Sequence, residues 1–364
     1  MFIKKLDILN FRSYPKLTMT FPPEGALLEG LNGAGKTNLL ESIHVLCTGR
    51  SQRGAARLDM IAHGQETSYI EGDFCCGDHG IAINTAIGFS RDKKLVMKRD
   101  GADIRSYSEW FGERPVVSFG SDDLELVYGA PEARRKFLDM LICQMDRSYL
   151  DALTSYRRNM SNRNALLGRT GDHVQFEVYE QAMAPSAAKL VFTRMEVITE
   201  LAAIVNDYYA QISGGKESAA VEYFPKFKCD FTCINDWQNL YLNTLSERRG
   251  KDAELMFTTY GPHRDDLRLI LGGRQAKAYA SQGQCRSFAL SLKLGSVLLL
   301  ERHRGDGMIF LVDDAVSELD PERTSRVYPL LEGRGQIFIA TPKCQAVLGD
   351  KMMRYTVEPG KVTV

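Results

Sequence analysis

Eight consecutive residues, Gly30-Leu31-Asn32-Gly33-Ala34-Gly35-Lys36-Thr37, fit the pattern G-x-x-x-x-G-K-[ST] without a mismatch. Each residue type has a physical task. Glycines let the backbone curl until successive N–H groups converge, and such a nest holds phosphate oxygens. A helix that opens at the end of the loop turns its positive dipole end toward the same anion. Lys36 brings a mobile cation to the β and γ phosphates, and the Thr37 hydroxyl completes a Mg²⁺ shell. The octapeptide, with Asn38 behind it, predicts a site for ATP and Mg²⁺.

A second candidate lies near the other end. Ile309-Phe310-Leu311-Val312 are four apolar residues followed by Asp313 and Asp314. A buried parallel strand ending in acid is the form of a Walker B element. Asp313 would then order the Mg²⁺ shell, with Thr37, and Asp314 would polarise the attacking water. The same residues also suit a core strand that ends in solvated acids. Upstream, Ser281-Gln282-Gly283-Gln284 opens a helical stretch carrying Phe288, Leu292, Leu294, Val297 and Leu298. This loop is either a second anion site or an ordinary helix cap. Asp320 follows within Ser317-Glu318-Leu319-Asp320, and Pro321 suits the first turn of a helix.

These residues need elements to carry them. Alternating apolar and polar residues predict strands over 2–8 and 17–21, and Gly25–Glu29 reads as a short buried strand leading into the glycine-rich loop. From Lys36 to Cys47, Leu39, Leu40, Ile43 and Leu46 have the spacing of an amphipathic helix. Strands are expected over 67–75, 81–89 and 94–98. Helical periodicity runs over 130–167 and 178–212, and strand texture returns at 219–224 and 267–271. Helix and strand then alternate over 285–302, 308–312, 321–331 and 336–340. The expected organisation is an α/β ATPase lobe, residues 1–120 and 255–364, split by a compact, mainly helical lobe, residues 121–254.

Composition narrows the class without naming a partner. Lys plus Arg equals Asp plus Glu, 46 of each, so any nucleic-acid contact must come from a local patch. The N-terminus lacks a signal-peptide pattern and there is no apolar run long enough to span a bilayer, so no membrane association and a cytoplasmic location are expected. Eight scattered cysteines form no paired zinc pattern.

Motif order carries more than any single motif. P-loop, long insert, Ser-Gln-Gly-Gln before a helix, Walker B and Ser-Glu-Leu-Asp together resemble the ABC-type ATPase head. That resemblance implies two heads facing each other in an ATP-dependent homodimer. Ser281 and Gly283 would act in trans, with Gln282 and Gln284 beside them, and Ser317–Asp320 would form the D-loop. Several stretches are similar to the RecF family: Leu9–Tyr14, Asn32–Ile43, Thr48–Ser51, Asp123–Gly129, Arg134–Asp139, Arg163–Leu167 and Tyr260–Leu267. Membership would imply a weak, DNA-stimulated ATPase of recombinational repair that binds double-stranded DNA and double-/single-strand junctions. It would act with RecO and RecR to load recombinase at gaps and stalled forks.

An ABC transporter subunit and a non-hydrolysing ATP-binding scaffold are the alternatives. The transporter is disfavoured because Thr341-Pro342 supplies no switch histidine and Val116–Phe119 no Q-loop glutamine; Cys285 also departs from the family loop. Roughly 240 residues between P-loop and signature loop are too few for a long coiled arm at ~1.5 Å per residue. Inside the insert, Arg134, Arg135, Lys136, Arg157 and Arg158 are candidates for a DNA-contacting face, although solvated helix surface fits them too. Arg50 and Arg53 could reach nucleotide or DNA. His263 has no nucleophile pattern around it, so a structural or nucleotide-linked loop is expected there rather than a catalytic one.

Overall fold

The computed structural model describes the chain except residues 77–79, 168–172, 216, 228–232, 306, 314–325, 327–328, 343–351 and 364. Its strands in chain order are β1 (Phe2–Phe11), β2 (Tyr14–Thr20), β3 (Gly25–Glu29), β4 (Thr67–Cys76), β5 (Ile81–Ser90), β6 (Leu95–Arg99), β7 (Ala102–Asp103) and β8 (Val116–Gly120). They continue with β9 (Ala219–Phe224), β10 (Asp266–Leu271), β11 (Arg274–Gln275), β12 (Met308–Asp313), β13 (Gly335–Thr341), β14 (Met353–Glu358) and β15 (Lys361–Thr363). The longer helices are α1 (Lys36–Thr48), α2 (Pro131–Met145), α3 (Arg147–Leu166), α4 (His173–Ser213), α5 (Ile234–Glu247) and α6 (Gln282–Arg304). Among the described residues no helix is long and apolar enough to cross a membrane.

By contact the chain forms two units. One comprises Met1–Asp123, Gln211–Gly214 and Ser296–Val364; the other comprises Leu124–Ala210 and Gly215–Gly295. The boundary falls inside α6, so Ser281–Gln284 belong to the second unit, whereas the sequence-based division put all of 255–364 with the P-loop.

The first unit has two six-stranded sheets. One is antiparallel, in the order β2-β1-β4-β5-β6-β7. The other has the order β15-β14-β3-β13-β12-β8 and is parallel except for β15. Helix α1 packs against strands of both sheets, and Leu39, Leu40, Ile43 and Leu46 share one core with Ile3, Leu6, Leu28 and Ile309. The amphipathic expectation for α1 is thereby corrected. Glu41, Ser42, His44 and Thr48 are buried as well, because sheets cover more than one face of the helix. Their polar atoms are satisfied within the fold, as buried polar groups must be.

The second unit joins helical segments to a small antiparallel sheet, β11-β10-β9. Its interior is tied by buried arginines. Arg163 donates to Glu180, Asp252, Thr258 and the Leu245 carbonyl. Arg194 donates to Asp139, Tyr149 and the Pro262 carbonyl. The stretch Gly261–Asp266 is a knot of such ties. A side chain at Gly261 would strike the Tyr156 hydroxyl, with the Cβ only 2.2 Å away. His263 Nε2 lies 2.9 Å from the Thr258 carbonyl, and Nδ1 lies 2.6 Å from the Tyr156 hydroxyl. The neutral tautomer protonated on Nε2 satisfies both, and burial lowers the histidine pKa to about 4, which keeps that form. His263 is thus a structural bridge.

Candidate nucleotide-binding site

Parallel pairing sets the geometry of the first unit's sheet edge. Asp313 at the end of β12 lies opposite Ala340 of β13, and Ala340 lies opposite Leu28 of β3. The end of β12 therefore comes level with the start of the loop that leaves β3. Gly33 and Gly35 adopt φ of +82° and +114°, a region that L side chains rarely occupy, and they turn the loop into α1. The loop crest, Leu31, Asn32 and Gly33, is exposed, with Leu31 at 82%. Its base, Ala34, Gly35 and Lys36, is buried. No heavy atom lies within 4 Å of a Cβ built on Gly33, so the crest faces open space.

The side chains converge there. Lys36 Nζ donates to the carbonyls of Gly30 at 2.6 Å and Leu31 at 3.0 Å, folded over the loop. The Thr37 hydroxyl donates to Asp313 Oδ1 at 3.1 Å. A hydroxyl and a carboxylate oxygen this close are hard oxygen donors of the kind that Mg²⁺ takes. Thr37 and Asp313 therefore fit the ion and would hold it, and it would supply charge neutralisation to bound phosphates. Asp314 and Asp320 lie outside the described residues, as does all of Ser317–Asp320.

A brace from the β1–β2 hairpin supports the loop, and motif reading did not assign it. The Tyr14 hydroxyl donates to the Gly35 carbonyl at 3.1 Å. Burial raises its pKa to about 12, so it remains a donor at neutral pH. Asn38 Nδ2 donates to Ser13 Oγ at 2.9 Å. Arg12 sits at a left-handed φ of +52° and grips buried Glu41 of α1 with two bonds, 2.8 and 3.0 Å long. Ser51 also donates to Glu41. The only sequence signal was that Leu9–Tyr14 is one of the family-like stretches.

The Ser281–Gln284 loop caps α6 in the second unit. Ser281 N–H donates to Gln284 Oε1 at 2.6 Å, and Gln284 N–H donates to Ser281 Oγ at 3.3 Å, the reciprocal bonds of a capping box. Ser281 and Gln282 are exposed.

The expected DNA face needs correction. Consecutive residues on a helix point about 100° apart, so Arg134, Arg135 and Lys136 cannot share one surface. Arg134 turns inward, 6% exposed, and pairs with Asp266 through two bonds. Arg135 is partly buried and donates to the Asp265 carbonyl. Arg157 is half exposed but holds Asp139 at 2.9 Å. Lys136 and Arg158 are exposed. Arg163, one of the insert's basic residues, is fully buried.

The model of the RecF/RecN/SMC N terminal domain matches residues 2–362. The DNA replication and repair protein RecF of Heliobacterium modesticaldum is 33% identical over 372 residues, covering 99% of this chain and 98% of that protein. A solved structure of the recombination mediator protein RecF-ATP in the RecFOR pathway is 30% identical with a TM-score of 0.91, covering 100% of this chain and 97% of that one. An Smc head bound to the C-winged helix domain of ScpA shares the fold at 16% identity and a TM-score of 0.58, over 100% of this chain and 97% of that one. With the ABC-type head in place and these relatives spanning nearly its whole length, the chain belongs to the RecF/RecN/SMC N-terminal domain family and, within it, to the RecF proteins.

Proposed function

We propose that this chain is an ATP-switched DNA-binding ATPase of recombinational repair. One observation carries the reading: Lys36, Thr37 and Asp313 meet at the mouth of a glycine loop whose crest is open. That arrangement supports binding of a triphosphate by residues 30–38, with Mg²⁺ held by Thr37 and Asp313. The existence of a RecF–ATP structure supports ATP as the nucleotide. On this reading Lys36 neutralises the β and γ phosphates, and Asp314 polarises the attacking water.

The functional ATPase lobe then draws on 1–120 and 255–364, and 121–254 form the helical lobe. ATP joins two copies head to head on DNA. Ser281 and Gly283 of each copy close on the phosphate held by the other, beside Gln282 and Gln284, and Asp320 completes the interface. Slow, DNA-stimulated hydrolysis releases the clamp. The partners are double-stranded DNA, strand junctions, RecO and RecR, in the cytoplasm, in support of recombinase loading. That the similar RecF–ATP structure belongs to the RecFOR pathway supports RecO and RecR as partners.

Light-scattering mass with and without Mg-ATP tests the central step, using Asp314→Asn to slow turnover. The expected result is a monomer that becomes a dimer, and a monomer that stays so when Ser281→Arg is added. ATP binding without any gain in mass would sink the clamp and leave only the nucleotide site.

A further inference from the structure

We infer that Glu217 is a positioning residue for the Ser281–Gln284 loop, holding Gln284 so that the Ser281 hydroxyl is presented outward to a phosphate. The inference rests on the proposal that this loop acts in trans.

The Gln284 side-chain amide is engaged at both ends. Its Oε1 accepts the Ser281 N–H at 2.6 Å, and its Nε2 lies 2.8 Å from each oxygen of Glu217. Turning the amide over would set donor against donor at Ser281 and acceptor against acceptor at Glu217, so only one orientation is compatible. Ser281 Oγ accepts the Gln284 backbone N–H through a lone pair. Among the described residues no acceptor takes its own hydroxyl hydrogen, which leaves it to donate, as a phosphate oxygen requires.

Glu217 is itself held. The buried Tyr209 hydroxyl donates to Glu217 Oε2 at 3.2 Å, and the Tyr209 ring lies 5.8 Å from that of Phe288 on α6. One tyrosine therefore touches both the anchor and the helix that Ser281 caps. The path of the chain follows from Gly214 and Gly215. Both are left-handed at φ +77° and +75°, and Gly215 N–H closes on the Ala210 carbonyl at 2.8 Å. Ala219 N–H, bonded to Asn206 Oδ1 at 3.1 Å, fixes the far side of the turn. A carboxylate beside a phosphate-facing loop is electrostatically unfavourable. Its use must lie in hydrogen bonding, and the Gln284 NH₂ lies between it and Ser281.

The test uses the full chain carrying Glu217→Ala or Glu217→Gln, with Ser281→Arg as control. Three quantities are read: the protein concentration at which Mg-ATP drives dimerisation, the monomer's affinity for a fluorescent ATP analogue, and amide exchange at 281–285. Loss of hydrogen bonds to a charged group predicts that Glu217→Ala needs roughly tenfold more protein to dimerise. Exchange at Ser281 and Gln284 should quicken while monomer ATP affinity holds. Glu217→Gln keeps an acceptor and should restore dimerisation. Wild-type dimerisation by Glu217→Ala, or failure of Glu217→Gln to rescue, overturns the inference. Normal dimerisation of Ser281→Arg would instead overturn the trans reading, and the positioning role with it, even where exchange has quickened.

Discussion

Replacing Arg134 with alanine should destabilise the second unit whether or not DNA is present. Its guanidinium donates to Asp266 at 2.7 and 3.0 Å, and to the carbonyls of Leu126 at 3.3 Å and Gly129 at 3.1 Å. The side chains of the pair are 7% and 27% exposed. Breaking a fully buried pair costs about 3–5 kcal/mol, because the remaining charge loses its partner. Water can reach part of Asp266, which puts the cost at the lower end, about 3 kcal/mol. At roughly 2–4 °C per kcal/mol for a domain of 150–250 residues, the melting temperature should fall by about 6–12 °C. Scanning calorimetry of Arg134→Ala, Asp266→Ala and the double variant measures this, and the double variant should cost clearly less than the sum of the singles. Strict additivity, or an Arg134→Ala midpoint within about 2 °C of the parent, would refute the reasoning. The exposed pair provides the contrast. Lys136→Ala with Arg158→Ala should leave the midpoint nearly unchanged, weaken DNA binding and flatten its salt dependence, each lost phosphate contact removing about 0.9 from the slope. Unchanged binding would rule out Lys136 and Arg158 as DNA contacts.

Two further outcomes are expected. Tyr14→Phe removes the hydroxyl that holds the Gly35 carbonyl; a neutral hydrogen bond worth about 1 kcal/mol predicts roughly fivefold weaker ATP binding in a fluorescence titration, and unaltered affinity would dismiss the brace. His263 titrates near 4 in the fold against 6.5 ordinarily, so between those values the unfolded chain binds a proton that the folded chain does not. Stability should therefore fall as pH drops from 6.5 toward 4, by at most about 1.4 kcal/mol per unit from this group, and urea midpoints at the two ends should converge in His263→Gln.

The glycine-rich loop was legible because its pattern is contiguous. Eight adjacent residues define it, between a strand and the helix that follows. The acid at Asp313 was legible for a related reason, since an apolar run marks a buried strand and its end must reach the sheet edge. The basic face was misread at Arg134 because charge alone does not show which way a residue points on a helix. Burial decides that, and burial depends on Asp266, far along the chain. Likewise the apolar spacing in α1 suggested one buried stripe, but the second sheet enclosed the polar residues too, a consequence of strand pairing between segments remote in sequence.

By itself, the sequence determined the glycine-rich loop, the strand before it and the helix after it, and the family. These follow from local pattern: period-two and helical spacing, glycines at a turn, and a lysine next to a hydroxyl. Only the tertiary structure decided that Tyr14 braces the loop and Arg12 grips Glu41 of α1, that Arg134 and Arg163 are internal ties, and that Glu217 reaches Gln284. Those contacts join residues that are neighbours in space and not along the chain. A lone tyrosine or glutamate carries no mark of its partner until the backbone has brought the two within hydrogen-bonding distance.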